Sequence, residues 1–570
     1  MITCPKCNKE LSDGTTFCDN CGAQLFENVF CPNCGEQTST EFAFCQSCGA
    51  PIGEASGSEK PSIVNKMKGL LDKALANKKI LFGGIAVVVL ILLISLFSGG
   101  KSKQNFALYI KDKEVYYAEL KNKPKAWEVT SKLTADTNDS NDFLSSIASN
   151  IEDHIKLSKD GKTIIFPDKL EGTSSYNLYF RKVEKKKDAE KIDSEVIRYS
   201  MNENFSIITY LKGSDRNLYQ ATLGKDNKEK IASNVSSYFV SDNAKKIYIL
   251  DNEGNLYLKS GKKDKEKLCG DVSSIVYVSE NFKTVYFVKD GDLYKQVGTK
   301  DKVKIDSDYS SILWVYESGE MYYTTFDEEE SNYTLHYYNG KKSFVISEEY
   351  DFTNDFAADK AVICYNEISE DDDPTVCIAV GKKSYTAKLS DEATEITISN
   401  DGKTLYYFDN VENSHGDMYS ASISKSKLGK SKKIDSDVYD GRITFMKKSV
   451  IYFKDVKDST GEMYFDGKKV DFDVYIYSLQ RIEDSKRIFY TTDLDSGDGT
   501  GTLKVLQGKK VKKISDEVYE YTVLPNGKVL YLIDYSRENC KGDLYQWDGG
   551  KAKKVDEDVV AVLNAYNYEK

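Results

Sequence analysis

The pattern of apolar and polar positions changes character twice along the chain. From Ile80 to Phe97 the residues read ILFGGIAVVVLILLISLF, uncharged and with Ser95 as the sole polar side chain. At about 1.5 Å per residue such a run makes a helix of about 27 Å, close to the apolar thickness of a bilayer, so it predicts a transmembrane helix over 80–98. A helix buried in a soluble core would carry a polar stripe, and none is present. The run comes after 79 residues that carry their own cysteine motifs, a placement expected of a retained anchor and not of a cleaved signal peptide.

From residue 104 to 570 the pattern is period two: short aromatic and β-branched runs broken by Gly, Asp and Asn, which predict strands and tight turns. One turn recurs, as in LSKDGKTIIF (157–166), VSDNAKKIYIL (240–250), VSENFKTVYF (278–287), ISNDGKTLYYF (398–408) and VLPNGKVLYL (523–532). Anchored on Ser158, Ser200, Ser241, Ser279, Ser318, Ala358, Ser399, Met446, Glu483 and Leu524, the unit returns every 37 to 47 residues. A second landmark is Gly-x-Leu/Met-Tyr, at Gly254–Tyr257, Gly291–Tyr294, Gly416–Tyr419, Gly461–Tyr464 and Gly542–Tyr545. Asn339-Gly340 and Asp466-Gly467 predict type I′ hairpins. One period thus holds about four strands, too few to cover both faces of their own sheet, so repetition is expected to bury them. The Ser-x-Asp/Asn-Gly-Lys turn resembles the TolB-type repeat, matched at Ser158–Lys162 and Ser399–Lys403 except for its proline. That resemblance implies a mainly β fold of β-propeller-type repeats, in one large or two smaller propellers, and says nothing of a ligand.

Before the apolar run, eight of the twelve cysteines form four CxxC pairs: Cys4 and Cys7, Cys18 and Cys21, Cys31 and Cys34, Cys45 and Cys48. The second half repeats the first at an offset of 27, with Pro5 matching Pro32, Phe17 matching Phe44 and Gly22-Ala23 matching Gly49-Ala50. Four thiolates at a tetrahedral site suit Zn²⁺, and a module this short needs the metal in place of a core. The in-phase repeat favours one zinc on Cys4, Cys7, Cys18 and Cys21 and a second on Cys31, Cys34, Cys45 and Cys48, although spacing alone also allows a crossed pairing. This segment resembles the double zinc-ribbon modules at the N-termini of many bacterial membrane proteins, which implies two structural zinc ions. The domain reading is therefore ribbon 1 at 1–27, ribbon 2 at 28–52, a linker at 53–61, a basic juxtamembrane helix at 62–79, the span at 80–98 and a β-rich ectodomain at 104–570.

Charge refines the address and the partners. Lys60, Lys66, Lys68, Lys73, Lys78 and Lys79 precede the span against Lys101, Lys103, Lys111 and Lys113 after it, and the clustered thiols need a reducing compartment, so the N-terminus is expected in the cytoplasm and the ectodomain outside the cell membrane. The 79 Lys+Arg against 90 Asp+Glu give a net charge of −11, and the ribbons carry more acid than base, which argues for a protein partner and against nucleic acid. His154, His336 and His415 have no partner motif, and no nucleophile elbow, metalloprotease motif or phosphate loop is present. Asp493–Asp498 departs from a calcium loop at Gly497 and Lys504. Cys364 and Cys377 fall on neighbouring strands, where either a disulfide or two free thiols fits. The expected function is a membrane-anchored binding, scaffold or sensor protein and not an enzyme. The alternatives are a glycan hydrolase or lyase, and nucleic-acid tethering by the ribbons.

Overall fold

In this computed structural model residues 105–563 are described apart from 113, 131–153, 169–174, 185–186, 369–374, 391, 447–448, 483–486 and 496, together with four short strands near the N-terminus. The chain divides into a unit from Met1 to Lys101 and a second from Ser102 to Lys570. In the first unit Ile2–Thr3 pairs with Glu10–Leu11, and Asn28–Phe30 with Gln37–Ser39, both antiparallel. The two hairpins recur at the same 27-residue offset as the cysteines, each bracketing one CPxC motif in sequence.

The second unit holds seven antiparallel sheets of 7, 4, 4, 7, 12, 4 and 4 strands among the described residues. Within a sheet the strands follow chain order, so hairpins make the connections. The central strands are buried on both faces, as in Thr163–Pro167, Lys246–Asp251, Thr404–Glu412 and Val529–Ser536, which is why these stretches read as nearly unbroken apolar runs. Outer strands such as Lys468–Tyr475 and Lys553–Val559 are exposed until their last residues, Val474 and Val559, which are fully buried. The last sheet joins both ends of the unit: Ala561–Leu563 pairs with Phe106–Lys111, and Ala107 and Tyr109 share one core cluster with Leu530, Leu544 and Val562.

The recurring sequence landmarks acquire physical reasons. The Ser158 hydroxyl donates to Asp160 at 2.7 Å and accepts the Lys162 and Thr163 amides at 3.1 and 2.9 Å, so one side chain closes the turn. Ser399 repeats this with Asp401, Lys403 and Thr404, and Gly402 at φ +65° leaves room beside Val362 Cγ2, which a Cβ would approach to 2.8 Å. The Leu or Met of each Gly-x-Leu/Met-Tyr strand, Leu256, Leu293, Met418, Met463 and Leu544, is fully buried. Asp466 and Gly467 both have positive φ, as a type I′ turn requires; at Asn339-Gly340 only Gly340 does, so that expectation is corrected.

The fold class expected from the sequence is corrected. The described structure is all β with no helical element, and no helix among the described residues is long and apolar enough to cross a membrane. The segments expected to be helical, 62–79 and 80–98, lie outside the described residues. Nor do the described repeats form a uniform array of separate four-stranded sheets, and no closed propeller is shown. Glu190–Met201 and Ser343–Phe356 each continue from the outer position of one repeat into the first strand of the next, merging two repeats into one seven-stranded sheet. In Glu190–Met201 the strand bends at Glu195 through φ +54° without breaking, and a shift in register absorbs the bend.

A Tyr–Asp contact recurs at these junctions. The Tyr210 hydroxyl donates to Asp193 Oδ2 at 2.8 Å, and the same pairing joins Tyr452 to Asp435 at 2.7 Å, Tyr490 to Asp471 at 2.9 Å and Tyr109 to Asp556 at 2.6 Å. In each, the aspartate sits on an outer strand and the tyrosine on the second strand of the next repeat. Lys212, Lys454, Lys504 and Lys111 neutralise the four carboxylates. Burial alone would raise the Asp193 carboxyl, but hydrogen bonds from Lys212, Lys228 and Tyr210 hold it down at about 2. Where Ala232 takes the aspartate's place, Ile249 stands at the tyrosine's position, so no hydroxyl has to be met there.

These junctions predict the effect of a substitution, read by chemical denaturation. Asp193→Ala strips a fully buried tyrosine hydroxyl and two lysines of their partner, with an expected loss of about 2–4 kcal/mol. A neutral Asp193→Ala would remove the junction from the account of stability.

Candidate functional site

The eight CxxC cysteines lie outside the described residues, and so does the acidic hairpin tip at 370–373. In the second unit, Cys364 pairs in register with Ile378, and Cys377 with Tyr365. This one-residue offset puts the two thiols on opposite faces of their sheet, in different core clusters, and so a disulfide between them is ruled out. Both are free and buried, and burial pushes the Cys377 thiol up to about 12.

The acidic loop closes on itself. Asp495 Oδ1 accepts the Gly497 and Asp498 amides at 2.7 and 3.1 Å, and no group of three metal-ligating side chains occurs among the described residues. His154 packs edge-on to Tyr176 at 5.4 Å. His415 Nδ1 lies 3.0 Å from the Asn413 carbonyl and Nε2 accepts the Val456 amide at 3.3 Å, which assigns the proton to Nδ1 and a structural role to the ring.

His336 is different. It stacks on Tyr323 with centroids 5.0 Å apart, its Nε2 is 2.9 Å from Thr325 Oγ1, and its Nδ1 is 3.3 Å from Asp306 Oδ2. Asp306 also accepts the Tyr323 hydroxyl at 2.5 Å. The order Thr–His–Asp is that of an acyl-transfer relay. Register assigns it to packing instead: His336 pairs with Tyr323 as Lys504 pairs with Tyr490, so it occupies the cation position of the junction. The Nδ1 contact lacks hydrogen-bond alignment, leaving that buried nitrogen unsatisfied. Burial lowers the His336 pKa, and the attraction of Asp306 opposes this only in part.

A cavity of about 600 Å³ opens on the neighbouring sheet junction. Tyr277 and Tyr286 line it, rings tilted at 53° with centroids 5.8 Å apart, together with Asn281, Asn339, Glu280 and Glu317. Lys295 also lines it, bonded to the Gly340 carbonyl at 2.8 Å and placed over the Tyr286 and Tyr338 rings, and burial lowers its pKa. The cavity's serines are engaged: Ser279 Oγ bonds Asn281 at 3.0 Å, and Ser318 Oγ donates to Glu320 at 2.8 Å. Such a lining offers aromatic faces, amides, carboxylates and one cation, with no activated nucleophile. Sequence reasoning missed it because its residues come from three separate turns and three strands.

Residues 4–49 match the double zinc ribbon family, so the chain carries an N-terminal double zinc ribbon. That match describes the N-terminal module alone. No curated protein matches the sequence. Among solved structures, a eukaryotic initiation factor is similar over 68% of this chain and 96% of its own, at 9% identity and a TM-score of 0.33. The tricorn protease is similar over 80% of this chain and 61% of its own, at 12% identity and a TM-score of 0.24. At these values neither likeness carries an argument about fold or function.

His336 gives a pH test with a defined sign. A histidine whose folded pKa lies below its unfolded value of about 6.5 takes up its proton more readily when unfolded, so stability is full above that value and falls as pH drops below it. Melting temperature is expected to fall between about pH 7 and 5, and His336→Gln is expected to flatten that slope. An unchanged slope in the variant would assign the acid sensitivity elsewhere.

Proposed function

We propose that this chain is a membrane-anchored binding protein. The ribbons take two structural zinc ions, one on Cys4, Cys7, Cys18 and Cys21 and one on Cys31, Cys34, Cys45 and Cys48, and contact a protein partner in the cytoplasm. The uncharged run Ile80–Phe97 anchors the chain, with residues 104–570 outside; the support is the run itself and the lysines before it. The β-rich unit binds a ligand, and the observation that carries this is the Tyr277/Tyr286 cavity. Stacking faces beside amides and carboxylates suit a polar ligand with an apolar face, which is the chemistry of a sugar ring. Glu280 and Glu317 on the same cavity favour a second reading, glycan cleavage by a carboxylate pair.

Titration of the full-length protein with soluble oligosaccharides is expected to show saturable binding, weakened at least about tenfold by Tyr277→Ala. Cleavage of a bound oligosaccharide that stops in Glu280→Gln or Glu317→Gln would establish the second reading, and absence of saccharide binding would sink both. For the address and the metal, protease applied to intact cells is expected to remove a C-terminal tag and spare an N-terminal one. Metal analysis of the purified chain is expected to give two zinc ions, lost in Cys→Ser variants.

A further inference from the structure

Two short strands stand off the main path of the twelve-stranded sheet, Thr444–Met446 and Gln480–Ile482. They hold the same place in successive repeats and turn opposite faces toward each other: Thr444 pairs with Ile451 in one hairpin and Arg481 with Ile488 in the other, and Ile451 and Ile488 share one core cluster. Between them lies a cavity of about 360 Å³ whose polar lining is Arg442, Arg481, Asn400 and Thr444 and whose apolar wall includes Phe445 and Leu479.

Three observations set this cavity apart. Arginine is scarce, seven residues among 79 cationic ones, yet two of the seven meet here. Among the described residues no carboxylate lines the cavity, although the chain holds more acids than bases. The Arg442 guanidinium lies 5.4 Å from the Tyr477 ring, and its buried Nε has no hydrogen-bond partner in the protein. A guanidinium held by an aromatic face, with a donor unsatisfied, fits an arrangement that receives an anion. The surrounding repeats supply the contrast. Ser158, Ser241, Ser279 and Ser399 each fold a hydroxyl back onto their own turn. In the two repeats that flank the cavity the equivalent positions by register are Met446 and Ile482, so that device is gone.

We propose that this cavity is a binding site for a carboxylate carrying a small apolar body. Two planar guanidinium groups match the two oxygens of a carboxylate, while Ile443, Phe445, Ile451, Leu479 and Ile488 accept a branched aliphatic tail. A phosphate would lose its hydration against that wall with nothing to replace it. The ligand is a free short-chain acid or the C-terminal carboxylate of a peptide, which share this chemistry.

Calorimetric titration of the full-length protein in detergent, with isovalerate, N-acetyl-leucine and inorganic phosphate as probes, tests the site. Saturable binding of one or both carboxylates is expected, weaker by at least about tenfold in Arg481→Gln and in Arg442→Lys, which keeps the charge but loses the fork. Arg481 is exposed, so its variant is expected to melt as the parent does. Tighter binding of N-acetyl-leucine identifies a peptide terminus, and tighter isovalerate a free acid. No carboxylate binding, phosphate bound as tightly as the acids, or full binding by Arg481→Gln would each overturn the proposal. Tyr277→Ala is expected to leave this binding unchanged, which separates it from the saccharide reading.

Discussion

The constraint on which the second unit depends is the fate of a buried tyrosine hydroxyl. The second strand of many repeats carries a tyrosine facing the preceding repeat, and Tyr109, Tyr210, Tyr323, Tyr452, Tyr490 and Tyr531 are among the largest fully buried side chains. Each ring contributes apolar area to the packing between sheets, but each hydroxyl left unpaired in that interior would cost about 1–3 kcal/mol. The preceding repeat answers this with an aspartate on its outer strand, and the aspartate in turn needs a lysine. One side chain's polarity thereby fixes how neighbouring sheets dock, whereas the apolar surfaces alone would tolerate sliding. The same contact ties the C-terminal strands to the N-terminal ones, where Tyr109 and Lys111 both reach Asp556.

Legibility followed the range of the interaction. The Ser-x-Asp-Gly-Lys turn and the Gly-x-Leu-Tyr strand are local, satisfied within a few residues, and they stand in the structure where the sequence places them. The cysteine pairs are local in the same way, and the family match at residues 4–49 spans them. The junctions were not legible. Asp193 and Tyr210 are 17 residues apart and Tyr109 and Asp556 are 447 apart, and each aspartate stands in a Lys-rich stretch that reads as a solvated edge. A signal was available: Lys-Ile/Val-x-x-Asp/Glu-Val recurs at Lys191, Lys433, Lys469, Lys513 and Lys554. Its acidic fifth residue takes positive φ at Glu195, Asp437, Asp473, Glu517 and Asp558. At Glu195 the bend leaves the strand unbroken, so two repeats that look separate in sequence share one sheet, whereas the other four strands end within two residues of the bend.

Lysine and arginine divide the electrostatic work in a way that geometry accounts for. A single carboxylate at a sheet junction needs a point charge on a flexible stem, and Lys111, Lys212, Lys454 and Lys504 supply it. Arginine appears where several acceptors must be met at once or in a fixed plane. Arg216 donates to the Val235 and Ser236 carbonyls at 2.7 and 2.8 Å, Arg198 to the Tyr238 carbonyl at 3.0 Å, and Arg487 to the Gly527 carbonyl at 3.3 Å. Those three forks bridge successive repeats through backbone that would otherwise face its neighbour unpaired. Arg442 and Arg481 occupy the same kind of junction and line a cavity there instead. In a chain that relies on lysine for ordinary ion pairs, a planar donor retained beside an open, carboxylate-free space is better explained by an acceptor from outside the fold than by the fold's own stability.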